Sequence, residues 1–476
     1  MSAFVIICGL AFLVLAVLKL RSAFLLFLFL APLVPSYVAI VLQVGGAGIS
    51  LTRLMSYGLF IGIGVRLARR PIRLGFGGTI PKTKLFLATL FAVFFLGRLI
   101  SSLLSPQIVA VVYWFDDTIL SFSIFWLAKT YICDVRGLGQ LVGTVGKAIV
   151  IVVLIGFLEY ALKAPVLSSL ITVQVSTVGA DVMSGFQREG AYRAIAMFDN
   201  PITLAEYLST ATTLLFILCA LRRRSPMRVL ASYAAVLGSA YLLTAARYLV
   251  ISLILSLSVA TSVHTAVRLS RLNAIANLSV ILVFGFGLYF AYQFVADPIF
   301  ALEIAEALSG DSVEQTASIV ERAAQYIVIP VEVASNPWGG FLGEGMKSDI
   351  MERLGTRLDN YYLAVLIEGG YMSLAAYLGM LIVLIIAPAN RRAYTPRAGI
   401  DMVWMRFCFT LFFVSFFVNK LFVSVPHNNY LLFLMVGVFF GVTGQRGTEV
   451  MDSRQDENSP RPQQLHRQRW SRGLLP

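Results

Sequence analysis

The chain has 476 residues, of which 58% are hydrophobic and only 13% are charged. A soluble domain cannot bury that much apolar surface, so the composition excludes a soluble protein and predicts a polytopic membrane protein. The net charge of +13 is not clustered in a polar domain, so no nucleic-acid partner is expected. Cys8, Cys133, Cys219 and Cys408 form no CxxC pair, and neither a disulfide nor a metal site is predicted.

Apolar runs long enough to cross a bilayer recur along the chain and predict an all-α fold of about 12–13 transmembrane helices. The first run carries its charges after its apolar residues, which favours a membrane helix with an outer N-terminus over a cleaved signal. The predicted helices are 2–18, 23–44, 50–66, 84–104, 108–129, 140–162, 201–221, 227–243, 246–262, 273–296, 359–387, 404–423 and 428–444.

The connections between these runs alternate in charge, which predicts the topology. One set is rich in Lys and Arg, as in LRRRSPMR and NRRAYTPRAG, and is assigned to the cytoplasm together with the C-terminus. The other set is poor in bases, and ten acids oppose four bases between Asp297 and Arg357. Two long segments, 163–200 and 297–358, are therefore predicted on the outer face.

These features divide the chain into four predicted regions. Residues 1–162 form N-terminal transmembrane helices, and residues 163–390 form a core that contains both outer segments. Residues 391–444 form the C-terminal transmembrane helices. Residues 445–476 are polar and rich in Pro, Arg and Gln, which predicts a disordered cytoplasmic tail.

Several arginines fall at the predicted outer face. Arg188 and Arg193 precede a helix start at Asn200-Pro201, and guanidinium groups beside a helix N-terminus suit an anion. Arg247 interrupts an apolar hairpin at a cost of about 2.5–3.5 kcal/mol, which favours either a function or a snorkelling position at the interface. Arg322 lies in the second outer segment, before the turn-forming run NPWGGFLGEG.

Other polar residues stand at helix starts or inside apolar runs. Asp359 precedes the run YYLAVLIEGG and is predicted to be the helix N-cap. His427 is the only histidine at a predicted outer helix start, either as an interfacial residue or as a contact for a ligand. Asp116, Asp117 and Glu368 are predicted inside the membrane and either have a function or bond to arginines on other helices. Together with Glu206 they could relay protons in a transporter.

The order of these motifs resembles a known family. The chain carries, in order, an outer arginine before an Asn-Pro helix start, an arginine that opens a later helix, an ERxxxY run, NPWGGFLGEG and then DNYYLAVLIEGG. Together these motifs are similar to those of the O-antigen ligase and O-antigen or exopolysaccharide polymerase superfamily. The resemblance covers residues 185–390. It implies a bacterial inner-membrane glycosyltransferase that takes glycan from an undecaprenyl-pyrophosphate carrier at the periplasmic face, without metal or cofactor.

The resemblance also implies roles for single residues. Arg193 and Arg247 hold the pyrophosphate, and Arg322 is a further participant. Apart from the resemblance, Asp359 lies on the same predicted face and is the candidate base for the proton of the attacking sugar hydroxyl. The candidate substrate-binding residues are Arg188, Arg322, Asn360, Tyr361 and His427. Ligases of this family tend to carry His-Asn where this chain has Asp359-Asn360, so the resemblance favours a polymerase, with inversion at the anomeric carbon.

Two alternatives stay open. A ligase would transfer finished glycan to lipid A core and differ only in the acceptor. A secondary transporter or flippase of lipid-linked oligosaccharide would use the intramembrane carboxylates as a proton relay. The expected partners are the lipid-linked glycan, the bilayer and, for a polymerase, flippase and chain-length regulator proteins.

Overall fold

The structure is a computed structural model that describes a large part of the chain. The described residues are 2–35, 39–44, 47–69, 82–107, 109–166, 187–188, 191–198, 200–246, 248–268, 325–326, 328–335, 337–346, 358, 360–389, 399–423 and 428–443. The predicted helix at 273–296 and the predicted tail at 445–476 lie outside these residues.

The architecture is a bundle of α-helices with short antiparallel hairpins. The helices of the first half are α1 (Ser2–Leu18), α2 (Leu20–Leu30), α3 (Leu51–Arg69), α4 (Lys82–Leu104), α5 (Val109–Tyr131) and α6 (Val135–Leu162). The second half has α7 (Pro201–Ala220), α8 (Pro226–Thr244), α9 (Tyr248–Arg268), α10 (Pro337–Leu342), α11 (Tyr361–Ile386), α12 (Met402–Lys420) and α13 (Asn429–Val442). Strands β1 (Ala39–Val44) and β2 (Ala47–Ser50) pair, as do β3 (Gln187–Arg188) and β4 (Ala191–Tyr192).

Eight helices within the described residues are long and apolar enough to cross a membrane, namely α3 to α8, α11 and α12. Apolar helices of 10–17 residues accompany them, among them α2 and α13. This confirms the predicted fold class, an all-α polytopic membrane protein. The predicted helices that lie on described residues are present with ends shifted by up to six residues, apart from the second.

The prediction of one helix over 23–44 is wrong. The helix there is α2, which ends at Leu30, and a hairpin of β1 and β2 follows it. Pro32 and Pro35 lie directly after α2 and have no backbone N–H to continue a helix. A hydropathy window does not register this difference because the strand residues are as apolar as helix residues.

Burial separates central helices from peripheral ones. Within the most apolar 18-residue stretch of each helix, 83% of the residues are buried in α7 and 78% in α12. The share is only 33% in each of α3, α4, α5 and α8. Peripheral helices expose large apolar side chains such as Leu103, Leu154 and Leu242. A helix that is buried all round belongs in the middle of a bundle, and apolar side chains exposed on the outside suit lipid.

Glycines bring two helix backbones together on α13. A Cβ at Gly437 would lie 2.5 Å from the carbonyl oxygen of Phe125, and a Cβ at Gly441 would lie 2.9 Å from that of Lys129. Small residues four apart allow such close helix packing in membranes. From the first contact to the second, the residue number rises by four in α13 and by four in α5, so the two helices run parallel.

The helix ends collect at two ends of the bundle. At one end, Arg21 donates to Gln140, Arg66 contacts Tyr131, and the N–H of Asp401 donates to the carbonyl of Ala220. We call this the basic end, because Arg21, Arg66, Lys84 and Arg222 lie there. The starts of α7, α9, α11 and α13 and the ends of α8 and α12 meet at the other end. We call it the outer end, after the face that the sequence predicts for it.

A turn from the second outer segment packs into a break in α11. Gly370, inside α11, has φ +66° and ψ −173°, a conformation that is essentially restricted to glycine. The N–H of Glu344 donates to the carbonyl of Ile367 at 2.7 Å, and a Cβ at Gly343 would lie 2.5 Å from the backbone nitrogen of Gly370. The run NPWGGFLGEG and the run LIEGG therefore form one packed unit.

This contact predicts that Gly370→Ala destabilises the protein. The new Cβ would collide with the carbonyl oxygen of Phe341, and the backbone conformation costs a non-glycine residue about 1–3 kcal/mol. The thermal midpoint of the protein purified in detergent should fall clearly. Gly379→Ala is the control in the same helix, because its Cβ would make an ordinary 3.5 Å contact with Leu90. Equal midpoints for the two variants would contradict the packed turn.

Candidate functional site

The candidate site lies at the outer end of the bundle, where α7, α11 and α13 begin and α8 and α12 end. Its polar residues belong to elements that are distant in sequence and are joined there by hydrogen bonds. The leading candidate from the sequence, Asp359, directly precedes the start of α11.

The helix cap of α11 is Asn360. Its side-chain oxygen accepts from the backbone N–H groups of Tyr362 at 2.7 Å and Leu363 at 3.3 Å. The prediction that Asp359 is the N-cap is therefore wrong by one residue. Both residue types cap well, so the sequence does not distinguish Asp359 from its neighbour.

The amide nitrogen of Asn360 joins the cap to two other elements. It donates to the hydroxyl of Tyr326 and, at 3.1 Å, to the carbonyl of Leu421 just after α12. Ile329 and Val333 continue this contact by packing against the first turns of α11. Asn360 is 3% exposed, so its hydrogen bonds hold the helix start in place.

An ion pair lies fully buried beneath this cap. Lys420 Nζ and Glu206 Oε1 are 2.7 Å apart, and both side chains are 0% exposed. The other carboxylate oxygen, Glu206 Oε2, accepts from Asn428 Nδ2 at 2.9 Å. The pair thus joins α7, α12 and the residue that precedes α13.

Tyr361 connects the ion pair to α11 and α13. Its ring centre lies 4.7 Å from Lys420 Nζ, a cation–π contact. Its hydroxyl accepts from Asn429 Nδ2 at 2.6 Å. Next to Lys420, Asn419 donates to Ser209 at 2.6 Å and to Thr210 at 3.0 Å on α7. Four helices are therefore cross-linked by buried polar contacts.

Arg193 lies beside the turn between α8 and α9. Its Nε donates to the carbonyl of Thr244 at 2.6 Å, and the N–H of Ala194 donates to the carbonyl of Leu243 at 2.8 Å. These bonds attach the end of the first outer segment to the C-terminus of α8. A cation is stabilised there because the free carbonyls of a helix C-terminus are partially negative.

Glu159 fixes the chain just after Arg193. This buried carboxylate near the end of α6 accepts from the N–H groups of Ile195 at 3.0 Å, Ala196 at 2.7 Å and Val166 at 3.2 Å. Burial, together with the nearby charge of Glu159, raises the pKa of Tyr192. The chain that follows Arg193 is therefore held by a buried acid in a transmembrane helix.

A second group of charges lies between α4, α5 and α11. Arg98 is 1% exposed and pairs with Asp117 at 2.6 Å and with Glu368 at 2.5 Å. Asp116 pairs with Arg53 at 3.2 Å and accepts from Tyr57. Asp116, Asp117 and Glu368 therefore pair with arginines on other helices, as one of the two interpretations of the sequence predicts.

Only part of the predicted site lies on described residues. Arg193, Asn360 and Tyr361 do, and the contacts given above bring Asn360 and Tyr361 into one group and place Arg193 at the same end. Arg188 pairs with Ala191 through its backbone, which is all that the structure describes of it. The remaining predicted site residues lie outside the described residues; they are Arg247, Arg322, Asp359 and His427.

Several residues of this network are not among the site residues predicted from the sequence. Arg98, Glu159 and Lys420 each stand inside an apolar run, where an unpaired charge is costly, and that cost was the signal for a buried partner. Asn428 and Asn429 follow His427 directly, but their roles depend on contacts with α7 and α11 that the sequence does not reveal.

Within the described residues, no group of His, Cys, Asp and Glu could hold a metal ion. Comparison of the chain with models of known protein families and with curated proteins gives no match. The fold and the membrane-crossing helices define a multi-pass membrane protein, and its function is argued from the site.

Stability should distinguish the two residues at the start of α11. Asn360→Ala removes the cap and the bonds to Tyr326 and Leu421, at a cost of about 1–2 kcal/mol or more. Asp359→Ala should leave the thermal midpoint in detergent nearly unchanged, because the capping oxygen belongs to Asn360. A similar fall for both variants would show that Asp359 also caps the helix.

The buried pair predicts strong non-additivity between Glu206 and Lys420. Glu206→Gln or Lys420→Met alone leaves one charge buried without its partner and should cost about 3–5 kcal/mol. The double variant should cost far less than the two single variants together. Arg222→Gln is the control, because Arg222 is 80% exposed and lies 3.7 Å from Asp401. Additive falls in the thermal midpoint would count against a coupled pair.

Proposed function

We propose that the protein is a membrane glycosyltransferase that extends a surface polysaccharide. It transfers glycan from an undecaprenyl-pyrophosphate carrier to a sugar hydroxyl at the outer end of the bundle. The proposed membrane is the bacterial inner membrane, with the outer end in the periplasm. The main support is the motif pattern that resembles the O-antigen polymerase and ligase superfamily.

The observation that carries the proposal is the position of Arg193. Its Nε–H bonds to the carbonyl of Thr244, and Arg247 follows Thr244 by three residues in the chain. The described chain on either side of Arg247, at Ala246 and Tyr248, thus follows the carbonyl that Arg193 contacts, and we propose that both arginines serve this corner of the bundle. That corner is at the outer end, together with the cap of α11. A pyrophosphate needs several cationic donors at one place, and two guanidinium groups supply them.

The bond changes in the proposed reaction are simple. The oxygen of the acceptor hydroxyl attacks the anomeric carbon, and the bond from that carbon to the pyrophosphate oxygen breaks. The electron pair leaves with undecaprenyl pyrophosphate, whose negative charge Arg193 and Arg247 stabilise. The proton of the acceptor passes to the carboxylate of Asp359, and attack from the opposite face inverts the anomeric carbon.

The described contacts support a rigid surrounding for this chemistry. Asn360, which follows Asp359, is held by α11, Tyr326 and the residue after α12. Asn428, which follows His427, is held by Thr203 and Glu206 of α7. General-base catalysis requires the base to lie within hydrogen-bond distance of the proton that it accepts. Buried hydrogen bonds on the adjoining residues help to hold a base in such a position.

The intramembrane charges favour an enzyme over the transporter alternative. Glu206 pairs with Lys420, and Asp117 and Glu368 pair with Arg98. A proton relay needs carboxylates that exchange protons along a path, whereas these contacts tie each carboxylate to a cation. We therefore interpret them as cross-links between helices.

The test is an assay of the purified protein in detergent with an undecaprenyl-pyrophosphate-linked repeat unit. An enzyme should form longer glycan without a second compartment, and Arg193→Ala or Asp359→Ala should reduce the rate by about 100-fold or more. Lys82→Gln, at the basic end, should leave it unchanged. No product from any lipid-linked donor, or full activity in both site variants, would refute the proposal.

A length ladder separates the polymerase from the ligase. A polymerase should give a ladder with lipid-linked repeat units alone. A ligase should need lipid A core and give single transfers of the glycan offered. The second outcome would retain the reaction and the site but change the acceptor.

A further inference from the structure

A cavity of about 360 Å³ lies at the basic end, between the end of α7 and the starts of α8 and α12. Three consecutive arginines line it, Arg222, Arg223 and Arg224, together with Asp401 and Trp404. We propose that this cavity binds the phosphate-bearing headgroup of an anionic phospholipid. This site is at the opposite end of the bundle from the glycan chemistry and does not depend on it.

The turn that carries the arginines is built into the bundle. The N–H of Arg222 donates to the carbonyl of Cys219 at 2.9 Å, and the N–H of Arg223 donates to that of Leu218 at 3.0 Å. Arg222 has φ +54°, so the chain reverses there before α8 begins at Pro226. The three guanidinium groups therefore extend from an ordered backbone.

The charge of the cavity is positive after its one carboxylate is counted. Asp401 Oδ2 lies 3.7 Å from Arg222 Nη2, while Asp401 Oδ1 caps α12 by accepting from Val403 at 3.0 Å. Arg223 lies against Gly139 of α6, where a Cβ would come within 2.8 Å of its Nη1. Among the described residues that line the cavity, three cations thus accompany one carboxylate, which also caps its own helix. Guanidinium groups bind phosphate oxygens through paired hydrogen bonds.

The surroundings favour a lipid headgroup over a free anion. Met227 and Leu230 follow the cavity along α8 and are 75% and 39% exposed, which provides an apolar surface for an acyl chain. Trp404 lines the cavity, and tryptophan is enriched where headgroups meet the apolar layer. Basic pockets between transmembrane helices bind anionic headgroups in this way. A free phosphate would use the arginines but not the apolar surface beside them.

Quenching of Trp404 fluorescence tests the unmodified protein. The full chain is placed in phosphatidylcholine nanodiscs that contain an equal fraction of either brominated phosphatidylglycerol or brominated phosphatidylcholine. Brominated phosphatidylglycerol should quench more, and the excess should disappear in Trp404→Phe. Equal quenching by the two lipids, or an excess that persists in Trp404→Phe, would overturn the proposal.

Titration in detergent tests the arginines. Phosphatidylglycerol should raise the thermal midpoint of the full chain, and Arg222→Gln/Arg223→Gln/Arg224→Gln should weaken its apparent affinity by about tenfold or more. The single variants Arg223→Gln and Arg69→Gln form a matched pair, because Arg69 is also exposed at the basic end but does not line the cavity.

Arg69→Gln should bind as the unmodified protein does, whereas Arg223→Gln should bind more weakly. An equal effect of these two variants would reduce the site to general surface charge. An equal rise in the midpoint with inorganic phosphate would identify a free-anion site instead of a lipid site. If the triple variant does not fold, the quenching measurement on the unmodified protein decides.

Discussion

The fold depends on how charges are paired inside an apolar bundle. Burying a carboxylate or an ammonium group without a partner costs several kcal/mol. The apolar interior of this bundle contains few groups that could replace the lost hydration of the charge. Lys420 and Glu206 meet at 2.7 Å with no exposed surface, and Arg98 meets Asp117 and Glu368 between three helices. Each such pair specifies which helices are neighbours and how far they slide along one another. Apolar packing alone allows many such arrangements, because one leucine-rich surface fits another about equally well.

The pairs also explain why the outer end is ordered. The first turns of α11 and α13 are joined through Tyr361 and Asn429, and Lys420 lies over the ring of Tyr361. The cap at Asn360 adds Tyr326 and the residue after α12 to the same unit. A displacement of one of these elements would leave a polar group buried without a partner. The outer end therefore keeps its geometry through polar contacts, while the sides of the bundle adapt to lipid.

Much of the fold could be predicted from the sequence, because helix positions follow from long apolar runs. The error at 23–44 arose where strand residues were as apolar as helix residues and only Pro32 and Pro35 marked the change. The site was less predictable. Asp359 and Asn360 are both good capping residues, and only the bonds to Tyr362 and Leu363 decide between them. Likewise, the partner of Lys420 lies 214 residues earlier, and no local pattern connects the two.

The register between α13 and α5 decides how deep the first turn of α13 lies in the bundle. The contacts of Gly437 with Phe125 and of Gly441 with Lys129 set the register between α13 and α5, and the same offset places Asn429 level with Asp117. Because α5 begins at Val109, the start of α13 lies about 12 Å deeper than the start of α5 at 1.5 Å per residue. The first turn of α13 is therefore recessed within the bundle relative to the start of α5. The bond between Asn429 and Tyr361 therefore lies at the level of Asp117, which pairs with Arg98, so the two groups of buried polar contacts share one layer of the bundle.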